Sequence, residues 1–405
     1  MIPDIKQQTA INKLSQLKVG ALFMDAGAGK TLPTYHLAKS VKNCDYLLYL
    51  APYQTIHNQI TDENIITEIE KYGGFPMPHD FVGIESLSNS GRIYLELYEK
   101  LLSKKNPVII CDESLKIKNF QAKRTKRILE LGKLSTYKLI LNGTPISRNL
   151  LDLWPQMEFL SPKILNMGQA EFKNTFCEYT KMTKRIGNKT IRREWINKYH
   201  NVDYLYSLIS PYVFEADYDI DVKLQYIDVD YRLSDDDIAT YQRLKETYLD
   251  DEKLQVLNNN IFLELTTKMR HGYSCTADKF EVLDKIVKTN QSNKILVVRN
   301  FIDAGEALQE RYGDAVKVLS MSKHAFGLNL QAYDTMVLWD KTWDYAQLYQ
   351  VIKRIYRRGQ DKDCRIFQLN GNVPLDKMMN DNIDRKGRLL EYFKKKSVKE
   401  LKQIL

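Results

Sequence analysis

Val19-Gly20-Ala21-Leu22-Phe23-Met24-Asp25-Ala26-Gly27-Ala28-Gly29-Lys30-Thr31 runs from a short apolar stretch into a glycine-bearing turn that ends in a lysine and a hydroxyl residue. A brief apolar run bounded by such a turn reads as a buried strand, and the residues from Thr31 onward read as a helix. Strand, glycine loop and helix N-terminus in that order point several backbone N–H groups at one spot, where a phosphate chain can rest. Lys30 then neutralises the outer phosphate oxygens, and the Thr31 hydroxyl is placed to hold Mg2+.

Further apolar runs recur outward from this loop at Tyr46–Ala51, 81–84, 108–111 and 138–141, separated by longer amphipathic stretches. That alternation is the pattern of a parallel sheet with crossover helices, whose ligands bind at the C-terminal ends of the strands. Asp112-Glu113 stands at such an end. Asp112 is placed to position the metal and Glu113 to polarise an attacking water as general base. An acidic pair alone is an ordinary solvated turn, and its pairing with the phosphate loop gives it the other meaning. Asn142-Gly143-Thr144-Pro145 ends a third strand in a small-residue turn.

The segment 161–223 is polar, aromatic and basic, with Lys181, Lys184, Arg185, Lys189, Arg192 and Arg193 close together, and it reads as a mostly helical insertion. Leu224–Tyr231 alternates as a strand does, and Ser234 with its three aspartates caps the helix that follows. Strands are expected again at 295–298, 316–319, 335–339 and 365–369. Between the last two of them Arg354 and Arg357, three apart, share one helix face. The expected fold is therefore α/β, with two parallel-sheet lobes at 1–160 and 224–375, the insertion 161–223 between them, and a basic helical tail at 376–405.

A formal charge of +9 favours a polyanionic partner, because each phosphate neutralised releases counterions. The five scattered cysteines form no Cys-x-x-Cys pair, so neither a disulfide framework nor a zinc site is indicated. No apolar stretch approaches the roughly 18 residues a membrane span needs, and the first residues lack a signal-peptide pattern, which predicts a cytoplasmic protein.

Met24 to Thr31, then Leu50-Ala51-Pro52, then Cys111-Asp112-Glu113-Ser114-Leu115-Lys116-Ile117-Lys118-Asn119, then Leu141 to Asn149 together resemble helicase superfamily two. More narrowly they are similar to the Swi/Snf branch of double-stranded DNA translocases. Gly327-Leu328-Asn329-Leu330 resembles the fifth motif of that family, and Gln350…Arg354…Arg357-Arg358-Gly359-Gln360 the sixth. The resemblance implies two RecA-like lobes that sandwich ATP and Mg2+ and close on each cycle. It casts Lys30, Glu113, Arg354 and Arg357 as catalytic. Gln7, Gly27, Ala28, Gly29, Lys30, Thr31, Asp112 and Gly327 would line the nucleotide, with Gln7 rather than Gln8 reading the adenine. Thr31 and Asp112 would hold the metal. Thr144 and Gln360 would couple the lobes. Asn58, Lys116, Lys118, Asn119, Ser320, Asn329 and Gln331 would meet duplex DNA along its backbone.

The pattern is incomplete in places. Leu115 stands where the acidic box usually has a histidine, Asn142 replaces a Thr or Ser, and Met321 replaces a Thr. The connection between Val298 and Leu319 is short, a compactness that resembles translocases encoded by bacteriophages. The function this implies is an ATP-dependent translocase on duplex DNA. A strand-separating DNA or RNA helicase and an ATP-regulated nucleic-acid clamp or host-directed inhibitor are the alternatives.

Overall fold

The computed structural model describes residues 2–25, 27–57, 64–143, 145–147, 149–186, 189–216, 220–248, 259–290, 294–321, 330–357 and 359–394. Strands β1 (Val19–Met24), β2 (Tyr46–Ala51), β3 (His79–Gly83), β4 (Pro107–Cys111) and β5 (Tyr137–Asn142) fall where the apolar runs place them. They are followed by β6 (Cys177–Ile186), β7 (Lys189–Tyr199) and β8 (Val213–Ala216). The first sheet has the order β3-β2-β4-β5-β1-β8, with every neighbouring pair parallel.

Parallel strands covered on both faces bury every side chain, and β2 and β4 do so along their whole length. The two-residue period then sorts them between two cores. Tyr46, Leu48 and Leu50 pack on one face with Ile109, Ile140 and Trp154, while Leu47, Tyr49 and Ala51 pack on the other with Ile110, Leu141 and Tyr35.

The second lobe holds β9 (Leu224–Tyr231), β10 (Ile295–Arg299), β11 (Val316–Ser320), β12 (Thr335–Leu338) and β13 (Cys364–Gly371) in the order β11-β10-β12-β13-β9, again all parallel. Ile295 and Val297 enter one core beside Trp339 and Phe367, and Leu296 and Val298 enter the other beside Met336 and Ile366. A single helix, Ile302–Tyr312, and one short 3-10 turn link β10 to β11. The helix Pro374–Lys394 follows β13.

The segment 161–223 differs from its helical expectation in two ways. Helices do occupy Pro162–Leu165, Gln169–Phe176 and Val202–Ile209, but between them β6 and β7 pair with each other alone as an antiparallel hairpin. A ribbon with no sheet behind it needs no apolar face, so its charged and polar residues carry no hydrophobic alternation to read. Its base is anchored through Cys177, Tyr179, Ile196 and Tyr199 against the core of the first lobe. Secondly, β8 pairs with β1 from Ala21↔Val213 to Met24↔Ala216, so this short strand completes the first sheet.

Candidate nucleotide site between the lobes

The loop after β1 turns back on itself, with Ala28 N donating to Asp25 O at 3.0 Å. Gly27 and Gly29 adopt φ of +83° and +70°, the left-handed region that a side chain disfavours. Both are also crowded. A Cβ on Gly29 would stand 2.6 Å from Gln7 Nε2, and one on Gly27 would stand 2.8 Å from both Cβ and Nε of Arg357. Thr31 opens the following helix, Thr31–Ser40, and the Lys30 ammonium donates to Met24 O at 3.0 Å and Asp25 O at 3.3 Å.

Gln7 sits in the first turn of the helix Ile5–Leu14, which Asp4 caps. Its Oε1 accepts from Asp4 N at 3.0 Å and its Nε2 donates to Gly29 O at 3.1 Å, so the side chain braces the loop from beneath. Gln8 points away to solvent and bonds Asn12. Of the two glutamines, Gln7 is the one that touches the loop.

At the end of β4, Asp112 is buried, accepting from Glu113 N at 2.8 Å and from Tyr49 OH at 3.3 Å. Burial and then the neighbouring Glu113 carboxylate push the Asp112 carboxyl up to about 7, against the pull of Lys30. Glu113 holds φ 49° and ψ 51°, a left-handed conformation that costs a non-glycine residue about 1–2 kcal/mol. Strain of that kind, at the tip of a buried strand, turns the carboxylate out of the sheet toward the second lobe.

The second lobe meets it. Gln350 Nε2 donates to Glu113 Oε2 at 2.9 Å, Tyr349 OH donates to Asp25 Oδ1 at 2.7 Å, and Lys353 Nζ lies 3.1 Å from Asp25 Oδ2. All three come from the helix Tyr345–Ile355. Arg354, on the same helix, is drawn down to about 10 by desolvation in the cleft, against the attraction of Glu113 and Asp112 and with the repulsion of Arg357. Phosphate loop, acidic pair and both arginines therefore converge on one cleft, the arrangement that a phosphate chain and its attacking water require.

The SNF2-related domain model matches residues 9–298, most of the chain. The chain belongs to the SNF2-related family. Among the curated relatives, the SWI/SNF chromatin-remodeling complex subunit snf22 of Schizosaccharomyces pombe is 26% identical over 433 residues, covering 86% of this chain and 25% of that protein. The ISWI chromatin-remodeling complex ATPase ISW1 of Saccharomyces cerevisiae is 22% identical, covering 91% and 38% respectively. The chain thus spans about a quarter to two fifths of the length of the curated relatives it matches. A solved structure, the Sulfolobus solfataricus SWI2/SNF2 ATPase core in complex with dsDNA, aligns over 100% of this chain and 97% of its own, at 18% identity and a TM-score of 0.43.

Within this SNF2-related core, the remaining expected residues divide. Gln360 is buried and its amide joins three strands of chain, donating to Gln331 O, Tyr333 O and Ile355 O at 3.0 to 3.1 Å and accepting from Asp361 N and Lys362 N. It fastens the end of the arginine-bearing helix to the turn before β12. Gln331 packs its amide near Gly359, 2.9 Å from where a Cβ would stand. Lys116 pairs with Glu85 at 3.5 Å, Lys118 bonds Ser147 Oγ at 2.5 Å, and exposed Asn119 caps its own turn through Gln121 N. Ser320 is buried at the end of β11. Asn58, Thr144, Gly327 and Asn329 lie outside the described residues.

The sequence reading missed a buried network behind the acidic pair. Ser114 Oγ donates to Gln156 Oε1 at 2.7 Å and accepts from Asn142 Nδ2 at 3.4 Å, while Gln156 Nε2 donates to Pro145 O and Asp152 O at 2.8 Å. Ser114, Asn142 and Gln156 are fully buried. Asn142, which stands where the family pattern has a Thr or Ser, joins the end of β5 to Ser114 beside the acidic pair. Met321, the other departure, is fully buried in the core of the second lobe.

Proposed function

We propose that this chain is the ATP-driven motor of a duplex-DNA translocase, in which closure of the lobes completes the hydrolytic site and each hydrolysis reopens it. The observation that carries the reading is the meeting of Gln350 with Glu113 and of Arg357 with Gly27, which places the second lobe on the acidic pair and the phosphate loop together.

An arriving phosphate chain takes the Lys30 ammonium from the Met24 and Asp25 carbonyls and accepts from the loop N–H groups. Glu113, held from the far lobe by Gln350, orients the attacking water and receives its proton. Arg354 and Arg357 meet the charge that builds on the outer phosphate, a role that contributes about 10³–10⁵ in rate in comparable phosphoryl transfers. Gln7 is set at the loop to read the adenine.

The donor set also fits Mg2+. Among the described residues no group of three His, Cys, Asp or Glu stands ready for a metal. Thr31 and Asp112 supply one hydroxyl and one carboxylate, and Mg2+ is ordinarily bound by one or two carboxylates together with substrate phosphates and water. When bound, the ion would neutralise phosphate charge.

DNA is the partner favoured by the basic balance and by the family. Relatives with this core are chromatin-remodeling subunits, and the Sulfolobus core was solved with dsDNA. Lys116, Lys118, Asn119, Ser320, Asn329, Gln331 and Asn58 are the proposed backbone contacts, and remodelling of protein–DNA complexes or junctions is the proposed outcome. The compact, bacteriophage-like form and a cytoplasmic setting belong to the same reading. No helix among the described residues is long and apolar enough to cross a membrane. Displacement of a third strand from a DNA triplex, with no separation of a forked duplex, tests translocation; fork unwinding without triplex displacement would favour the strand-separating alternative.

A further inference from the structure

Asp25 stands one residue beyond β1, at the head of the phosphate loop, and only 6% of it is exposed. Its backbone belongs to the loop, since its carbonyl accepts from Ala28 N and from Lys30 Nζ. Its side chain belongs to the other lobe. Oδ1 accepts from Tyr349 OH at 2.7 Å and Oδ2 pairs with Lys353 Nζ at 3.1 Å, with the two charged side chains 8% and 11% exposed. Tyr349 and Lys353 are one helical turn apart and so face the same way. The Lys353 ammonium also lies 5.4 Å from the ring centre of Tyr349 and 5.0 Å from that of Tyr356.

We propose that Asp25, Tyr349 and Lys353 form a closure latch, and that Asp25 is a positioning residue for hydrolysis although it touches neither water nor phosphate. The argument is one of continuity. Arg354 follows Lys353 directly, and Arg357, two residues beyond the helix end, rests against Gly27, two residues from Asp25. The helix ends at Ile355, so the two arginines do not share one helix face as their spacing predicts: Arg354 is on the helix and Arg357 in the bend just after it, and a carboxylate that fixes Lys353 and Tyr349 fixes both relative to the loop they serve. A buried ion pair is also sensitive to separation, because each partner left alone in a dry cleft is strongly disfavoured. The latch thus favours two states, shut or fully hydrated, over a half-open one.

The inference rests on the ATPase reading above, and its test separates the two. Asp25→Asn, Lys353→Met and the double variant are compared with wild type in steady-state ATP hydrolysis, with small-angle scattering of the same samples as a readout independent of turnover. Each single variant is expected to lower kcat at least about tenfold, through misplaced arginines, while KM for ATP moves less than about threefold. The double variant is expected to match the worse single variant within about twofold, because one interaction is lost once. Scattering is expected to show a larger radius of gyration in every latch variant. Tyr349→Phe, which removes only a hydroxyl, serves where a charge variant fails to fold, with the same loss of kcat in smaller degree. Unchanged kcat and scattering in the variants, or losses that multiply in the double variant, overturn the latch. A wild type that does not turn over ATP but still loosens in the variants overturns the ATPase reading and keeps the latch.

Discussion

Arg357 rests directly on Gly27: the space a Cβ would occupy at Gly27 lies 2.8 Å from the Arg357 Cβ and Nε, so the absence of a side chain on the phosphate loop is what lets an arginine of the other lobe reach it. Gly27→Ala should therefore act twice. Its φ of +83° makes alanine cost about 1–2 kcal/mol in the first lobe, and the methyl group pushes Arg357 off the loop. The expected result is a modest fall in thermal stability with a loss of kcat of about 10²-fold or more, since the arginine contribution is on the order of 10³–10⁵. Thermal melts beside turnover measurements would check it, and wild-type turnover would contradict it.

Glu113→Gln keeps the shape of the side chain and removes its basicity. Turnover should fall by about 10²–10⁴, the usual contribution of a positioned general base, while ATP affinity changes little. A fluorescent ATP analogue measures the second part. Equal losses of binding and turnover would show that Glu113 supports the nucleotide and not the water.

Ser114 is the hub of the buried network between the acidic strand end and the Asn142 turn. Ser114→Ala leaves the Gln156 carbonyl without its donor and the Asn142 amide without this acceptor. The expected loss is about 1–3 kcal/mol in denaturant unfolding, the cost of leaving a buried polar group unsatisfied. A change below about 0.5 kcal/mol would show that the site repacks.

Lys138 gives a pH-dependent prediction. It is 8% exposed, donates to Gly132 O at 3.0 Å, and is pulled down to about 8 by burial. Between pH 8 and the ordinary lysine range the unfolded chain holds a proton that the folded one has released, so raising the pH there favours the fold. Wild type should gain stability relative to Lys138→Met across that interval, by up to about 3 kcal/mol, with a constant offset below pH 7. A difference that stays flat from pH 7 to 10.5 would show that Lys138 titrates normally.

The two sheets were legible because parallel strands buried on both faces must be short apolar runs, as Tyr46–Ala51 and Ile295–Arg299 are. The loop, the acidic pair and the arginines were legible because each needs particular residue types at fixed spacing. What escaped was of a different kind. The hairpin of β6 and β7 has no apolar face to announce its period. The contacts of Asp25 with Tyr349 and Lys353 arise only when residues more than 300 positions apart are brought together, and no local pattern encodes that. Gln156 sits in an apolar helix, Leu153–Leu160, where nothing nearby in sequence shows what its amide must satisfy.

The most direct test of the motor reading is steady-state ATP hydrolysis at low salt with no nucleic acid, duplex DNA, single-stranded DNA or RNA, for wild type beside Glu113→Gln. The account predicts stimulation selective for duplex DNA, weakened as salt rises and lost in the variant. Hydrolysis indifferent to every nucleic acid, or equal in wild type and Glu113→Gln, would contradict it.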